Sequence, residues 1–377
     1  MLVVTSNWAF TDGSLGPPLC RTAGDWLPAV RRAIIRGGRG RDGRYRPVTT
    51  ATLVLAGDTC DWLTSRVWSG RDRPWHGGRR AQQARLRVAA ETFRVARPLA
   101  ATILRWLRRG VPVPAADRRG RPSFGHQVRI PLRVVILAGD RDGWWAELPA
   151  AAGCEGLDVG ESWSDGRHDV RHGHDLDPIA HRPCGELAGR PRQPTLRESL
   201  AVDLIVPFAL DLHAVGGAWP RLRPRLPELA AAELPAVPGL VERMVETVAR
   251  EQGTATARAV ADGWQWQVAA WHRVARREPP ASEAEFDPVD AVAAWLAARG
   301  VGGRSPEVCE RLATFPPEAH PGGAMVLGHP AADRPPALDC RLPDGRGWRE
   351  TLGPEPSPSP VITVGRSIRS ESIIDAA

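Results

Sequence analysis

The sequence contains no lysine, one tyrosine and one asparagine (Asn7) in 377 residues. All 50 of its basic residues other than histidine are therefore arginine, and alanine, glycine and proline are also abundant. A GC-biased genome explains this composition. The net charge of +7 would suit a nucleic-acid partner. The arginines are scattered along the chain, however, so we expect no nucleic-acid binding.

Long apolar runs are also missing. No stretch of about 18 apolar residues occurs, which argues against a membrane span. The first residues, "MLVVTSNWAF", have no basic segment before their apolar positions and no long apolar core, so they predict a first strand rather than a signal peptide. We expect a cytoplasmic protein.

The six cysteines are far apart and include no C-x-x-C pair. This spacing argues against a metal–thiolate site and against a dense disulfide framework. We expect buried free thiols in a reducing compartment. The cysteines are Cys20, Cys60, Cys154, Cys184, Cys309 and Cys340.

The first part of the chain alternates apolar, β-branched runs with helical periodicity. This alternation predicts an α/β fold with a parallel or mixed sheet and helices on its faces. A long helix is expected over 81–109, bent at Pro98, and the Pro-, Gly- and Arg-rich stretch 110–131 is expected to be a loop. The expected strands are 2–5, 50–56, 132–138, 156–159 and 168–171.

A mainly helical pattern covers about 196–299, and β-type sequence returns at 324–327 and 361–364. We therefore expect an α/β domain built from 1–178 and 321–377, interrupted by a mainly helical insertion at 179–320.

Polar side chains able to bind a metal follow four of the strand-like runs. Each taken alone is most often a turn, a cap or a satisfied histidine, but four in order at strand ends favour a shared site, because ligands gather beyond the carboxyl ends of strands in open α/β sheets. Glycine beside each of them lets the chain turn sharply. The four stretches are Gly57-Asp58-Thr59-Cys60-Asp61, Gly139-Asp140-Arg141-Asp142, His172-Gly173-His174 and Gly328-His329.

In these stretches the sequence resembles the calcineurin-like metallophosphoesterases. "LVLAGDTCDWL" matches the family's Gly-Asp-x-x-Asp motif, "VVILAGDRDGWW" matches the third motif by position, and "RHGHDLDP" matches the fourth. The resemblance covers 1–178 and about 320–365. It implies an α/β sandwich of two mixed sheets flanked by helices and the hydrolysis of phosphoesters at two metal ions.

The sequence departs from the family at the positions that hold one of the two ions. Asn7 and Ala9 replace the Asp and His of the first motif, and Ala331 replaces the last His. In the third motif, Asp140 and Arg141 stand where the family has Asn and His. One metal pocket is therefore dismantled, and Asn7 with Asp58 could hold a second ion only weakly.

The ligands of the other ion align with Asp58, Asp140, His172 and His329, all of which can coordinate a metal. Two carboxylates and two imidazoles suit one divalent transition metal: Mn, Zn or Fe. Arg141 is expected to bind phosphate. Four more groups are expected to orient the ligands or the turns: Asp61, Asp142, His174 and Asp177. For Asp61 and Asp142, turn capping is the alternative.

These residues predict a phosphoesterase of reduced activity. Metal-activated water would hydrolyse a phosphoester, such as a phosphorylated small molecule, with one ion instead of two. The alternative is a non-catalytic relative that binds a phosphorylated ligand or a protein partner, with the helical insertion as its contact surface.

Overall fold

The protein is an α/β protein with a mixed β-sheet flanked by helices. A computed structural model describes residues 1–6, 8–16, 23–148, 156–174, 183–184, 192–215, 218–232, 236–276, 288–297, 324–326, 337–342 and 346–351. Its strands are β1 Leu2–Thr5, β2 Ala51–Ala56, β3 Val111–Ala116, β4 Pro122–Ile130, β5 Leu132–Leu137, β6 Leu157–Gly160, β7 Ser162–Ser164, β8 Asp169–Arg171, β9 Ala324–Val326, β10 Ala337–Arg341 and β11 Gly347–Thr351.

The main sheet has six strands in the order β11-β10-β1-β2-β5-β6. Strands β1, β2, β5 and β6 run parallel, and β10 joins β1 in the antiparallel direction. Strands β1, β2 and β5 are almost wholly buried, because helices or other strands cover both faces of a parallel sheet. Their apolar sequences made these three strands predictable. Strands β10 and β11 were not predicted.

Three helices of the first half pack against this sheet: α1 Ala23–Gly37, α2 Gly78–Val95 and α3 Arg97–Arg109. The long helix expected over 81–109 is in fact two helices that meet at Ala96. Pro98 lies in the first turn of α3, where a missing N–H costs nothing. Buried side chains of α1–α3 join those of the sheet in one hydrophobic cluster.

The expectation of a loop over 110–131 was wrong. Most of this stretch forms the antiparallel hairpin β3–β4, with a register shift between Pro114 and Ala115. Val111 and Val113 are buried while Pro112 between them is less so, as expected at the start of a half-buried strand. The prolines are tolerated because the hairpin is a separate two-stranded sheet whose strands are both edges.

A smaller, separate sheet has three strands in the order β7-β8-β9. Val170 of β8 is fully buried in a cluster with Val4, Val54, Val135 and Leu137. This packing fixes the end of β8 against the main sheet.

The helical region begins at Thr195, whose side chain and Glu198 form a reciprocal capping box. Its first helix passes through a π-helical segment, Leu200–Ile205, before continuing as α5. The helices are α4 Leu196–Ser199, α5 Val206–Ala214, α6 Ala218–Leu222, α7 Leu226–Ala231, α8 Val237–Gln252, α9 Thr254–Ala275 and α10 Pro288–Ala297. They share a second hydrophobic cluster of their own.

Among the helices that the structure describes, none combines the length and apolar character needed to cross a membrane. The strand expected at 361–364 lies outside the described residues.

Candidate metal centre

Three of the predicted ligands meet at the carboxyl ends of neighbouring strands. Asp58 follows β2, Asp140 follows β5, and His172 follows β8. One donor atom from each lies within 4.8 Å of the other two. The Nε2 atom of His172 is 3.7 Å from the Oδ2 of Asp58, and its Nδ1 is 3.8 Å from the Oδ1 of Asp140. All three residues are buried, with at most 7% of their surface exposed.

The glycines before the two aspartates are required by close contacts. Gly57 has a φ of +80°, and a Cβ there would lie 2.2 Å from Cδ2 of His172. At Gly139 a Cβ would lie 2.2 Å from the Oδ1 of Asp58. Asp58 itself has a φ of +48°, a conformation that Asp tolerates better than most residues. The two Gly-Asp turns therefore allow the carboxylate of Asp58 and the imidazole of His172 to lie close to the backbone.

Burial raises the pKa of the Asp58 carboxyl well above its usual value, and the nearby charge of Asp140 raises it further. The guanidinium of Arg141 and the Arg141 N–H, which donates to the Oδ1 of Asp58 at 3.1 Å, act in the opposite direction. A cation between these carboxylates would relieve both the desolvation and the repulsion.

Asp142 organises the loops beneath the ligands. Its carboxylate accepts the N–H groups of Gly139 at 2.8 Å and Cys60 at 3.1 Å, and the indole N–H of Trp145 at 2.8 Å. Burial raises the pKa of Asp142 to about 6, although these hydrogen bonds oppose the shift. Asp142 thus ties the β2 and β5 loops together.

Asp61 caps its own turn and binds Arg141. Its Oδ1 accepts the Thr64 N–H at 3.3 Å, and its Oδ2 accepts from Nη1 of Arg141 at 2.9 Å. The turn capping is therefore visible, and the contact with Arg141 places Asp61 next to the candidate ligands.

Arg141 lies inside the protein, with 3% of its surface exposed. Its guanidinium contacts Asp58 (Nε to Oδ2, 3.5 Å) and Asp61, and its Nη2 donates to the Ala230 carbonyl of α7 at 2.6 Å. Burial lowers the pKa of Arg141, but the surrounding carboxylates outweigh it and the net shift is upward. The expectation that Arg141 binds phosphate finds no support in this placement.

Two further side chains lie next to the three candidate ligands: His174, which was expected there, and Arg197, which was not. Nδ1 of His174 is 2.9 Å from Nδ1 of His172, a contact suited to fixing the imidazole orientation. Arg197 of α4 brings its Nη1 to 3.5 Å from the Oδ2 of Asp140. No sequence signal identified Arg197, because it lies 57 residues from Asp140 and belongs to no motif.

A polar pocket of about 630 Å³ reaches the site. The residues that line it include Asp140, His172 and His174, together with Arg192, Thr195 and Glu198 at the start of the helical region. There, Arg192 and Glu198 form a bidentate ion pair with N–O distances of 2.6 and 2.5 Å. Asp58 and Arg141 do not line this pocket.

The first-motif segment lies beside Asp58. The Ala9 N–H donates to the Asp58 carbonyl at 2.9 Å, and Phe10 bridges to Cys60. Three predicted site residues lie outside the described part of the chain: Asn7, Asp177 and His329.

Tryptophans that follow the aspartate motifs pack against one another in the core. Trp62 stacks on Trp144 with ring centroids 5.0 Å apart, and Trp145 lies 5.0 Å from Trp62. Cys60 is buried in the same core, where burial raises its thiol pKa well above the usual value. These large side chains hold the two loops at a fixed separation.

The three donors fit a transition metal. At metal–ligand bonds of about 2.0–2.2 Å, two donors on one ion lie at most about 4.4 Å apart. One donor atom from each of the three residues lies within 4.8 Å of the other two, so a small adjustment of the side chains brings them into this range. Two carboxylates and an imidazole suit Mn, Zn or Fe. No protein-family model, no curated protein and no solved structure matches this chain.

Proposed function

We propose that this protein is a metal-dependent phosphoesterase of the calcineurin-like type, acting on a phosphorylated small molecule or another phosphoester. The observation that carries the proposal is the convergence of Asp58, Asp140 and His172 from three separate strand ends onto one buried point beside an open pocket. The two-sheet sandwich implied by that family is part of the proposal. It is supported by the packing of Val170 against the main sheet.

The metal would be held by Asp58, Asp140 and His172, with His329 as a further ligand. When bound, a divalent transition metal supplies a Lewis acid and lowers the pKa of a coordinated water. The chain's own residues do the rest of the positioning: Asp142 fixes the two aspartate loops, and His174 fixes the ring of His172.

The pocket gives a substrate access from the side of Asp140 and His172, while Asp58 stays covered. His174 lines this pocket and is half-buried, so its imidazole can exchange a proton with a bound ester. Arg192 also lines this pocket, paired with Glu198, and it could bind a phosphorylated ligand by exchanging this partner for the phosphate.

The second candidate is a non-catalytic protein that binds a phosphorylated ligand or a protein partner. One observation favours it. Arg141 occupies the position at which the family carries the His that assists the leaving group, and its guanidinium is buried against Asp58 and Asp61. It cannot donate a proton at neutral pH.

Metal content and turnover together test the proposal. We expect the purified chain to retain about one Mn²⁺, Zn²⁺ or Fe²⁺ per molecule. We expect Asp58→Ala and His172→Ala to lose it. His168→Ala is the matched control, since it removes a partly exposed imidazole just before the same strand, whose Nδ1 lies 3.1 Å from the carboxylate of Asp165.

Turnover of an aryl phosphate with Mn²⁺ should then exceed that of Asp58→Ala and persist in His168→Ala. A wild-type chain that binds no metal would refute the metal centre. Metal binding with turnover no higher than that of Asp58→Ala would favour the non-catalytic candidate.

A further inference from the structure

Among the residues that the structure describes, the buried charges around the metal centre do not balance when every carboxylate is ionised. Four carboxylates lie in or directly behind it, each at most 7% exposed: Asp58, Asp61, Asp140 and Asp142. Two guanidinium groups, of Arg141 and Arg197, contact these carboxylates. With all carboxylates ionised, two negative charges remain, and one divalent ion neutralises them. Two divalent ions would leave an excess of two positive charges in a buried space, which is costly.

The two oxygens of Asp58 face different neighbours. Oδ1 accepts the Arg141 N–H. Oδ2 lies between two groups, with Nε of Arg141 at 3.5 Å on one side and Nε2 of His172 at 3.7 Å on the other. Oδ2 of Asp58 therefore already has one cation beside it, the guanidinium of Arg141, and a divalent ion shared with His172 would be a second.

The guanidinium of Arg141 is fixed at three points. Asp58 and Asp61 hold it by charge, and the Ala230 carbonyl of α7 holds its Nη2 at 2.6 Å. It is buried and remains charged at all ordinary pH values. An ion that competed for this place would have to displace a covalently attached cation.

We propose that Arg141 is a built-in cation that occupies the space between Asp58 and Asp61 and thereby limits the centre to a single divalent metal ion. The inference rests on the proposed metal centre and adds to it a stoichiometry and the residue that sets it. Arg141 is a positioning residue here: it orients and neutralises Asp58 and leaves the pocket side to the metal and its ligand.

Mn²⁺ stoichiometry, measured by equilibrium dialysis with elemental analysis and by calorimetric titration, tests the inference. The variants are Arg141→Gln, which removes the charge, and Arg141→Lys, which keeps it. Arg73→Gln is the matched control, because Arg73 forms a partly buried ion pair with Asp203 (2.6 Å) that also links the α/β and helical regions but lies outside the centre.

We expect about one ion per chain in the wild type, Arg141→Lys and Arg73→Gln, and about two in Arg141→Gln, with the second ion bound more weakly. One ion in Arg141→Gln, bound as in the wild type, would overturn the inference while leaving the metal centre intact. Two ions in the wild type would do the same. A wild type without any ion would overturn the metal centre, and the inference with it.

Arg141→Gln leaves two buried carboxylates without their cation and will lose stability. Thermal unfolding with and without Mn²⁺ keeps the test valid in that case. We expect Mn²⁺ to raise the Tm of Arg141→Gln more than that of the wild type or of Arg73→Gln, since added ions replace the missing charge. An equal or smaller rise would count against the inference.

Discussion

The α/β region and the helical region build the centre in different ways. In the α/β region, each of the three candidate ligands, Asp58, Asp140 and His172, stands after a strand, next to a glycine, and belongs to a recognisable short motif. In the helical region, the contributions are a carbonyl, that of Ala230, and a guanidinium, that of Arg197, and neither belongs to a motif. Strand ends therefore supply the candidate ligands, and the helices add a guanidinium and a carbonyl next to them.

The two regions also have separate hydrophobic clusters, which meet where Ala201 and Val202 of the π-helical segment join the cluster of the main sheet. Polar contacts also cross between the regions, including Arg73–Asp203, Arg141–Ala230 and Arg197–Asp140. The comparison teaches that the centre depends on both cores, although only one core carries its motifs.

The largest expected effect comes from a cavity in either core. Leu53→Ala in β2 and Leu212→Ala in α5 each truncate a side chain that is at most 1% exposed, and each should lower the free energy of unfolding by about 2–5 kcal/mol. Because Arg197 and Ala230 sit on helices of the second core, Leu212→Ala should also weaken Mn²⁺ binding.

Calorimetry and Mn²⁺ titration measure both effects. Leu104→Ala, at a position 37% exposed, is the control and should change stability by less than about 0.5 kcal/mol. If Leu212→Ala unfolded its region in a separate early step while Mn²⁺ affinity stayed unchanged, the two regions would be independent.

The next effect concerns the strand-end turns. Gly57→Ala combines a left-handed backbone with a Cβ that would collide with His172, so we expect a loss of about 3 kcal/mol. Gly166→Ala has the same kind of backbone (φ +79°) but open space around the new Cβ, and should cost about 1–2 kcal/mol. Urea denaturation compares the two. Equal losses would mean that the contact with His172 is not tight.

A smaller effect is expected at the support of the two loops. Asp142→Asn keeps the shape but removes one acceptor oxygen from a carboxylate that binds three N–H groups. Mn²⁺ affinity should fall by about 10–100-fold. Asp158→Asn is the control, since it breaks only an exposed ion pair with Arg133. An unchanged Kd in Asp142→Asn would show that the loops do not need this carboxylate.

The smallest effect lies far from the centre. Tyr45 is the only tyrosine, and its buried hydroxyl donates to the Pro114 carbonyl of the hairpin at 3.0 Å. Burial raises its pKa above the usual value. The unfolded chain therefore loses the phenolic proton first, and the stability contributed by Tyr45 is present below pH 10 and lost as the pH rises through the folded pKa.

Absorbance at alkaline pH follows this single tyrosine directly. Tyr45→Phe should cost about 1 kcal/mol of stability and abolish the titration signal. A midpoint at or below the value of free tyrosine would contradict the buried hydrogen bond.

Several elements could be predicted from the sequence because their signals are local. The strands β1, β2 and β5 are short apolar runs, and the helices of the second half carry clear periodicity. The hairpin β3–β4 was missed because its prolines and arginines resemble a loop, and only its position as a separate edge sheet makes them acceptable. Strands β10 and β11 were missed because β10 pairs with β1, more than 300 residues away along the chain, and β11 pairs with β10.

At the site, too, the parts with a local sequence signal could be predicted and those that depend on tertiary packing could not. Asp58, Asp140 and His172 were proposed from motifs and meet in space. The role expected for Arg141 did not follow from its neighbours in sequence, because burial depends on what packs over a side chain, here α7.

The sequence by itself determined that acids and histidines would stand at glycine-flanked strand ends, since apolar runs and glycines act locally. Only the tertiary structure decided which charges surround them. Arg141 and Arg197 reach the carboxylates because the helical region folds back over the sheet, and electrostatic interactions depend on distance in space rather than along the chain.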